Sequence, residues 1–84
     1  MGRLMNIGFG NLINTDRILM VSQPDAAPVK RMIQKGKEEQ TLIDATQGRR
    51  TKSVIVTTED RLVLSALTTE TIMNRYNEER GGPN

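Results

Sequence analysis

Residues 50–67 read RTKSVIVTTEDRLVLSAL, and this stretch decides the fold. Arg50 to Thr57 is rich in β-branched side chains, which favour a pleated strand. Thr58, Glu59 and Asp60 are polar and read as a loop. Arg61 to Leu67 turns apolar again and reads as the next strand. Two such runs joined by so short a loop predict a hairpin, hence an antiparallel pairing.

Working outward, the first 21 residues read as short strands joined by tight turns. Leu4 to Ile7 is apolar, Gly8-Phe9-Gly10-Asn11 is a turn-forming cluster, and Leu12-Ile13 resumes the apolar run. Asn14-Thr15-Asp16 reads as a second turn, and Arg17 to Val21 suits a buried strand. After Pro24, Val29, Met32 and Ile33 follow the i, i+3, i+4 spacing of a helix with one apolar face. Asp25 or a neighbour is placed to cap its start, and Gly36 with Lys37 to end it through a left-handed glycine. Thr41 to Ile43 is a short strand, and Asp44 to Gly48 a turn.

The last helix has the clearest start. Thr68 fits the N-cap, Leu67 and Ile72 fit a hydrophobic staple across it, and Glu70 suits the positive end of the helix dipole. Strands predominate and most connections are too short for βαβ crossovers. The expected fold is therefore α+β: a small, mainly antiparallel sheet with a central helix and a C-terminal helix. It occupies residues 1–80 as one domain, followed by a flexible Gly-Gly-Pro-Asn tail at 81–84.

The chain has 84 residues, of which aromatics are only 2%, Phe9 and Tyr76. The core must come from Ile, Leu, Val and Met, so a lone copy is marginal and the folded unit is expected to be an oligomer. Cys and His are absent, which excludes disulfides, Cys/His zinc sites and Ser-His or Cys-His catalytic pairs. The sequence calls for no metal, no cofactor and no membrane partner, and a cytoplasmic protein is expected. Net charge is +2, but residues 1–58 carry nine Lys/Arg against five Asp/Glu, while residues 59–84 carry three against five.

Among the acids, Asp44 alone directly follows an apolar strand. A general base there is the enzymatic reading; a turn-starting Asp bonded to backbone amides is the favoured one. Gly8-Phe9-Gly10 fits neither phosphate-loop nor dinucleotide spacing and reads as a turn.

The informative stretch is Gly48-Arg49-Arg50-Thr51-Lys52, three cations within four residues at the mouth of a strand. Alternation along a strand sends Arg50 and Lys52 the same way, with Arg49 near the turn. Guanidinium groups clamp phosphates through paired N–H donors, and a solvated hairpin end is the competing reading, which composition alone favours. Lys30, Arg31, Lys35 and Lys37 form a second basic group on the first helix. Two scattered aromatics make no stacking platform for single strands, so a nucleic-acid partner would be duplex DNA.

Three stretches carry a resemblance: Asn6 to Asn11, Ala27 to Ile33, and Leu42 to Thr51, with Leu64-Ser65-Ala66 and Thr69-Glu70-Thr71 fitting as well. Over roughly residues 4–76 the chain resembles the bacterial RemA family of extracellular matrix regulatory proteins. The resemblance implies a DNA-binding transcriptional regulator of biofilm matrix genes. It also implies a ring-shaped homo-oligomer with duplex DNA at its outer surface. The family's DNA-contacting arginines fall on Arg17, Arg49 and Arg50 here; strand spacing adds Lys52. The expected mechanism is avidity, a few cations per subunit repeated around a ring. An oligomeric scaffold for an acidic protein partner and a small acid–base enzyme centred on Asp44 are the alternatives.

Overall fold

The structure is a computed structural model that describes residues 3–79. The expected tail at 81–84 lies outside the described residues. In chain order the elements are β1 (Leu4–Asn6), β2 (Leu12–Asn14), β3 (Ile18–Ser22), α1 (Ala27–Glu39), β4 (Leu42–Asp44), β5 (Ser53–Thr57), β6 (Leu62–Ser65) and α2 (Thr69–Glu79).

The β5–β6 hairpin sits at the centre of a four-stranded sheet ordered β3-β5-β6-β4. Its register sets Val54 opposite Leu64, Ile55 opposite Val63 and Val56 opposite Leu62. Because successive side chains alternate, the two sheet faces receive different sets. Ile55 and Val63 face one way and pack with Met5, Ile7, Ala45 and Ile72. Val54, Leu62 and Leu64 face the other way, against Val29. The result is three layers: α1 covers one face, and α2 with the two-stranded β1–β2 ribbon covers the other.

The α+β expectation holds, with one refinement. β4 pairs β6 in parallel, Leu42 opposite Leu62 through Asp44 opposite Leu64. β6 returns into the gap between β4 and β5. Because β3 and β4 both run parallel to β6, α1 is a helical crossover joining two parallel strands of the sheet, which the short connections elsewhere did not suggest. The hairpin strands are also shorter than their β-branched composition predicts, since β5 starts at Ser53 rather than Arg50. Backbone pairing nevertheless reaches Lys52, whose N–H donates to the Ser65 carbonyl at 2.9 Å.

The first helix departs from expectation at both ends. Ala26 is its N-cap and gives no side-chain hydrogen bond, so Asp25 is not the cap; Pro28 within the first turn supplies the preset φ instead. The helix runs through Gly36 and stops at Gln40, which takes the left-handed conformation (φ 58°). Gly36 is buried where α1 crosses the sheet, facing Leu42 and Leu62. It makes no turn, and a Cβ there would meet Leu42 and Leu62 at ordinary contact distances. The second helix starts as expected: the Thr68 hydroxyl accepts from the Thr71 N–H at 3.1 Å.

The core contains no fully buried aromatic among the described residues. Tyr76 packs partly buried against the Ile55–Ile72 cluster, while Phe9 is 51% exposed. Leu4, Leu12, Leu19, Met20, Ile43 and Met73 are also left exposed, Leu19 to 68%.

Candidate nucleic-acid interface

Two tight turns build the site. In Gly8–Asn11 the Asn11 N–H donates to the Gly8 carbonyl at 3.0 Å, and in Thr46–Arg49 the Arg49 N–H donates to the Thr46 carbonyl at 3.0 Å. Both central residues of each turn have positive φ: Phe9 55° and Gly10 79° in the first, Gln47 56° and Gly48 78° in the second. That is the requirement of a type I′ turn, which explains the glycine in each third position. The first turn is pinned further, because the Gly8 N–H donates to Asn6 Oδ1 at 2.7 Å and Asn11 Nδ2 donates to the Gly8 carbonyl at 2.9 Å.

The turns are carried together by the buried β6 end. Ser65 Oγ donates to the Ile7 carbonyl at 2.7 Å and accepts from the Leu67 N–H at 3.1 Å, tying β1 to β6. From α2, Arg75 Nη1 donates to the Asn6 carbonyl at 2.9 Å. Arg49 Cζ stands 5.9 Å from the centroid of the Phe9 ring, at the outer limit of a cation–π contact.

Between these elements lies an open cleft of about 530 Å³. Arg49, Arg50, Lys52 and Arg75 all line it, beside Phe9 and Leu67, and no carboxylate is among its lining residues. Three of the sequence-predicted cations are thus brought together; Arg50 precedes β5, and the cleft takes Arg49 as well as Arg50 and Lys52, so the grouping does not follow strand alternation. Arg75 joins them from a helix 23 residues further along the chain. Its spacing, three after the buried Ile72, was the available signal: that position borders the face of α2 that meets the ribbon.

Arg17 lies elsewhere. It ends a short 3-10 turn whose Asn14 side chain accepts from the Asp16 N–H at 2.9 Å, and its carbonyl accepts from the Thr58 N–H at 2.8 Å. Thr58 and Lys52 bracket β5 at opposite ends, on the order of 20 Å apart at about 3.3 Å per residue. Arg17 Nη1 also pairs with Glu59 Oε2 at 3.0 Å, both side chains being exposed. Lys30, Arg31, Lys35 and Lys37 project from α1, across the sheet from the cleft, and are exposed.

Asp44 takes the turn role. Its Oδ1 accepts from the Thr46 hydroxyl at 2.6 Å and from the Thr46 N–H at 2.9 Å. The side-chain bond first, and the backbone bond second, hold its carboxyl below the ordinary carboxylate value, the opposite of what a general base near neutrality needs. Among the described residues no group of three His, Cys, Asp or Glu is placed to hold a metal ion, and no helix is long and apolar enough to cross a membrane.

Phe9 carries a backbone cost. A bulky residue at positive φ is disfavoured by roughly 1–2 kcal/mol relative to glycine, yet its ring joins neither core cluster.

Comparison with known proteins agrees with the resemblance read from the motifs. A family model described as extracellular matrix regulatory protein A-like matches residues 4–76. A regulatory protein, by its name, from Thermoanaerobacter sp. is 49% identical over 78 residues, covering 93% of this chain and 81% of its own. One from Lachnoclostridium phytofermentans is 51% identical over 78 residues, covering 93% and 86%, and one from Symbiobacterium thermophilum is 51% identical over 73 residues, covering 87% and 77%.

Proposed function

This chain belongs to the RemA-like family of regulatory proteins, and from that premise we propose that it regulates transcription by holding duplex DNA, extracellular matrix genes being its targets. The observation that carries the reading is the cleft in which Arg49, Arg50, Lys52 and Arg75 converge with no carboxylate among them. Such a cluster repels itself unless a polyanion or solvent compensates it, and phosphates match guanidinium donors in pairs. The open shape suits a ligand that passes across the surface rather than one that is enclosed.

One subunit offers few contacts, so affinity comes from repetition. The proposed assembly is a homo-oligomeric ring. The exposed Leu4, Leu12, Leu19, Met20, Ile43 and Met73 support self-association, as they leave a small subunit with much uncovered apolar surface. An apolar groove of about 580 Å³ between β3 and α2 supports it as well. Arg17 then acts as an outlying contact: the roughly 20 Å between it and the cleft corresponds to about six base pairs at 3.4 Å each. Engaging DNA there exchanges its Glu59 partner for phosphate. A duplex-DNA ligand puts the protein in the cytoplasm.

The test joins solution mass with binding of a labelled duplex at 50 and 200 mM salt. An oligomer whose affinity falls steeply with salt is expected. A strict monomer refutes the assembly, and absence of duplex binding at low salt refutes the DNA reading. Capture of an acidic peptide in place of duplex would transfer the cleft to a protein partner.

A further inference from the structure

We infer that Phe9 is a wedge that enters the DNA held by the neighbouring cations and unstacks a base step; this rests on the duplex-DNA reading above. Four observations converge on it. Phe9 stands at the tip of a turn whose neighbours, Gly8 and Gly10, are both at positive φ. The turn is fixed by hydrogen bonds from the Gly8 N–H to Asn6 and from Asn11 to the Gly8 carbonyl. The ring is 51% exposed and contributes to neither core. Arg49 stands against it at 5.9 Å, and Arg50, Lys52 and Arg75 line the same cleft.

The chemistry follows from that placement. A half-exposed apolar side chain in a strained backbone gains little within the subunit beyond its contact with Arg49 at the outer limit of a cation–π distance. Placed among phosphate-binding cations, it is presented to the groove of the duplex they hold. Apolar wedges of this kind open a base step and kink DNA, and the unstacking is offset by the extra surface the bent duplex meets. A rigid turn suits a wedge, since a mobile tip would lose entropy on insertion. The Arg49 guanidinium, already beside the ring, is positioned to follow it to the adjacent phosphate. One aromatic in the cleft lining is too little for a single-strand platform but sufficient for a wedge. Repetition in an assembly would place such kinks at regular intervals, which gives preference for easily deformed steps without base-edge contacts.

The experiment uses the full chain and a duplex carrying 2-aminopurine at flexible pyrimidine–purine steps, whose fluorescence rises on unstacking. Phe9→Asn tolerates the left-handed backbone and removes the ring, and Phe9→Trp keeps an aromatic wedge. Since the chain has no other tryptophan, Phe9→Trp also reports its own stacking by quenching. The wild type and Phe9→Trp should raise the 2-aminopurine signal. Phe9→Asn should abolish it and bind roughly tenfold more weakly, with an unchanged salt slope, since stacking carries no phosphate contact. Equal signal and affinity for Phe9→Asn and wild type would overturn the inference. So would a change in solution mass for Phe9→Asn, which would assign the ring to a subunit contact. Wild-type binding without any 2-aminopurine change overturns the wedge and leaves the DNA reading standing; absence of wild-type binding overturns both.

Discussion

Gly36→Ala separates two physical accounts of one residue. If Gly36 ended the first helix in a left-handed conformation, alanine there would cost roughly 1–2 kcal/mol. In the structure it lies inside α1, and its carbonyl accepts from the Thr41 N–H at 3.0 Å. A Cβ added at Gly36 would stand 3.5 Å from Cβ and Cδ1 of Leu42 and 3.6 Å from Cδ1 of Leu62. Those are ordinary van der Waals distances, so a methyl fits without displacement. Alanine gains about 1 kcal/mol of helix propensity over glycine, and the new methyl buries apolar area worth up to about 0.8 kcal/mol. The expected stabilisation is about 1–2 kcal/mol, and each kcal/mol raises Tm by about 4–8 °C in a domain of this size. Thermal and urea unfolding followed by circular dichroism would measure it, at one protein concentration because self-association couples to Tm. A lower Tm for Gly36→Ala would refute the packing described between α1 and the sheet. Gly36→Leu is the counterpart: its extra carbons meet Leu42 and Leu62 and should destabilise.

The remaining predictions touch the interface, the cap of α2, the turn after β4 and the core. With five phosphate contacts per engaged subunit, the four cleft cations and Arg17, log affinity should fall with log salt at a slope of about −4.5, and Arg49→Ala/Arg50→Ala should lower it to about −2.7; anisotropy titrations across salt check this, and an unchanged slope would remove both arginines from the interface. Thr68→Ala deletes the acceptor of the Thr71 N–H and should cost about 1 kcal/mol in urea unfolding. Asp44 has its folded-state pKa lowered, so its contribution is fully present above the unfolded value of about 3.9 and is lost as pH falls through the lower folded value. Asp44→Asn should therefore flatten stability against pH in that acid window alone; identical profiles for both proteins would contradict the assignment. Ile55→Ala empties a fully buried site between sheet and α2 and should cost about 2–5 kcal/mol, which calorimetry would detect.

The hairpin, both helices and the positions of the short strands up to Ser22 were legible because each rests on local physics: β-branched runs, i, i+3, i+4 spacing, and a threonine cap. The burial expected of the run at residues 17–21 was not, because β3 is an edge strand that leaves Leu19 and Met20 exposed. Where the helix from Ala27 ends was not legible either, since Gly36 carries the signature of a left-handed stop, whereas Gln40, which lacks it, takes the left-handed position. The parallel β4–β6 pair was equally hidden, because a three-residue apolar strand carries no mark of its neighbour's direction.

The functional residues divide along the same line. The sequence by itself determined that Arg49, Arg50 and Lys52 share one neighbourhood, because cations within four consecutive residues cannot separate. It also determined the excluded chemistries, since absent Cys and His side chains cannot be supplied by folding. Only the tertiary structure decided that Arg75 and Phe9 join that cluster. It likewise placed Arg17 at the far end of β5, held by Glu59. Those placements depend on which strand ends the β6 backbone and Ser65 draw together, a long-range arrangement that no local run of residues encodes.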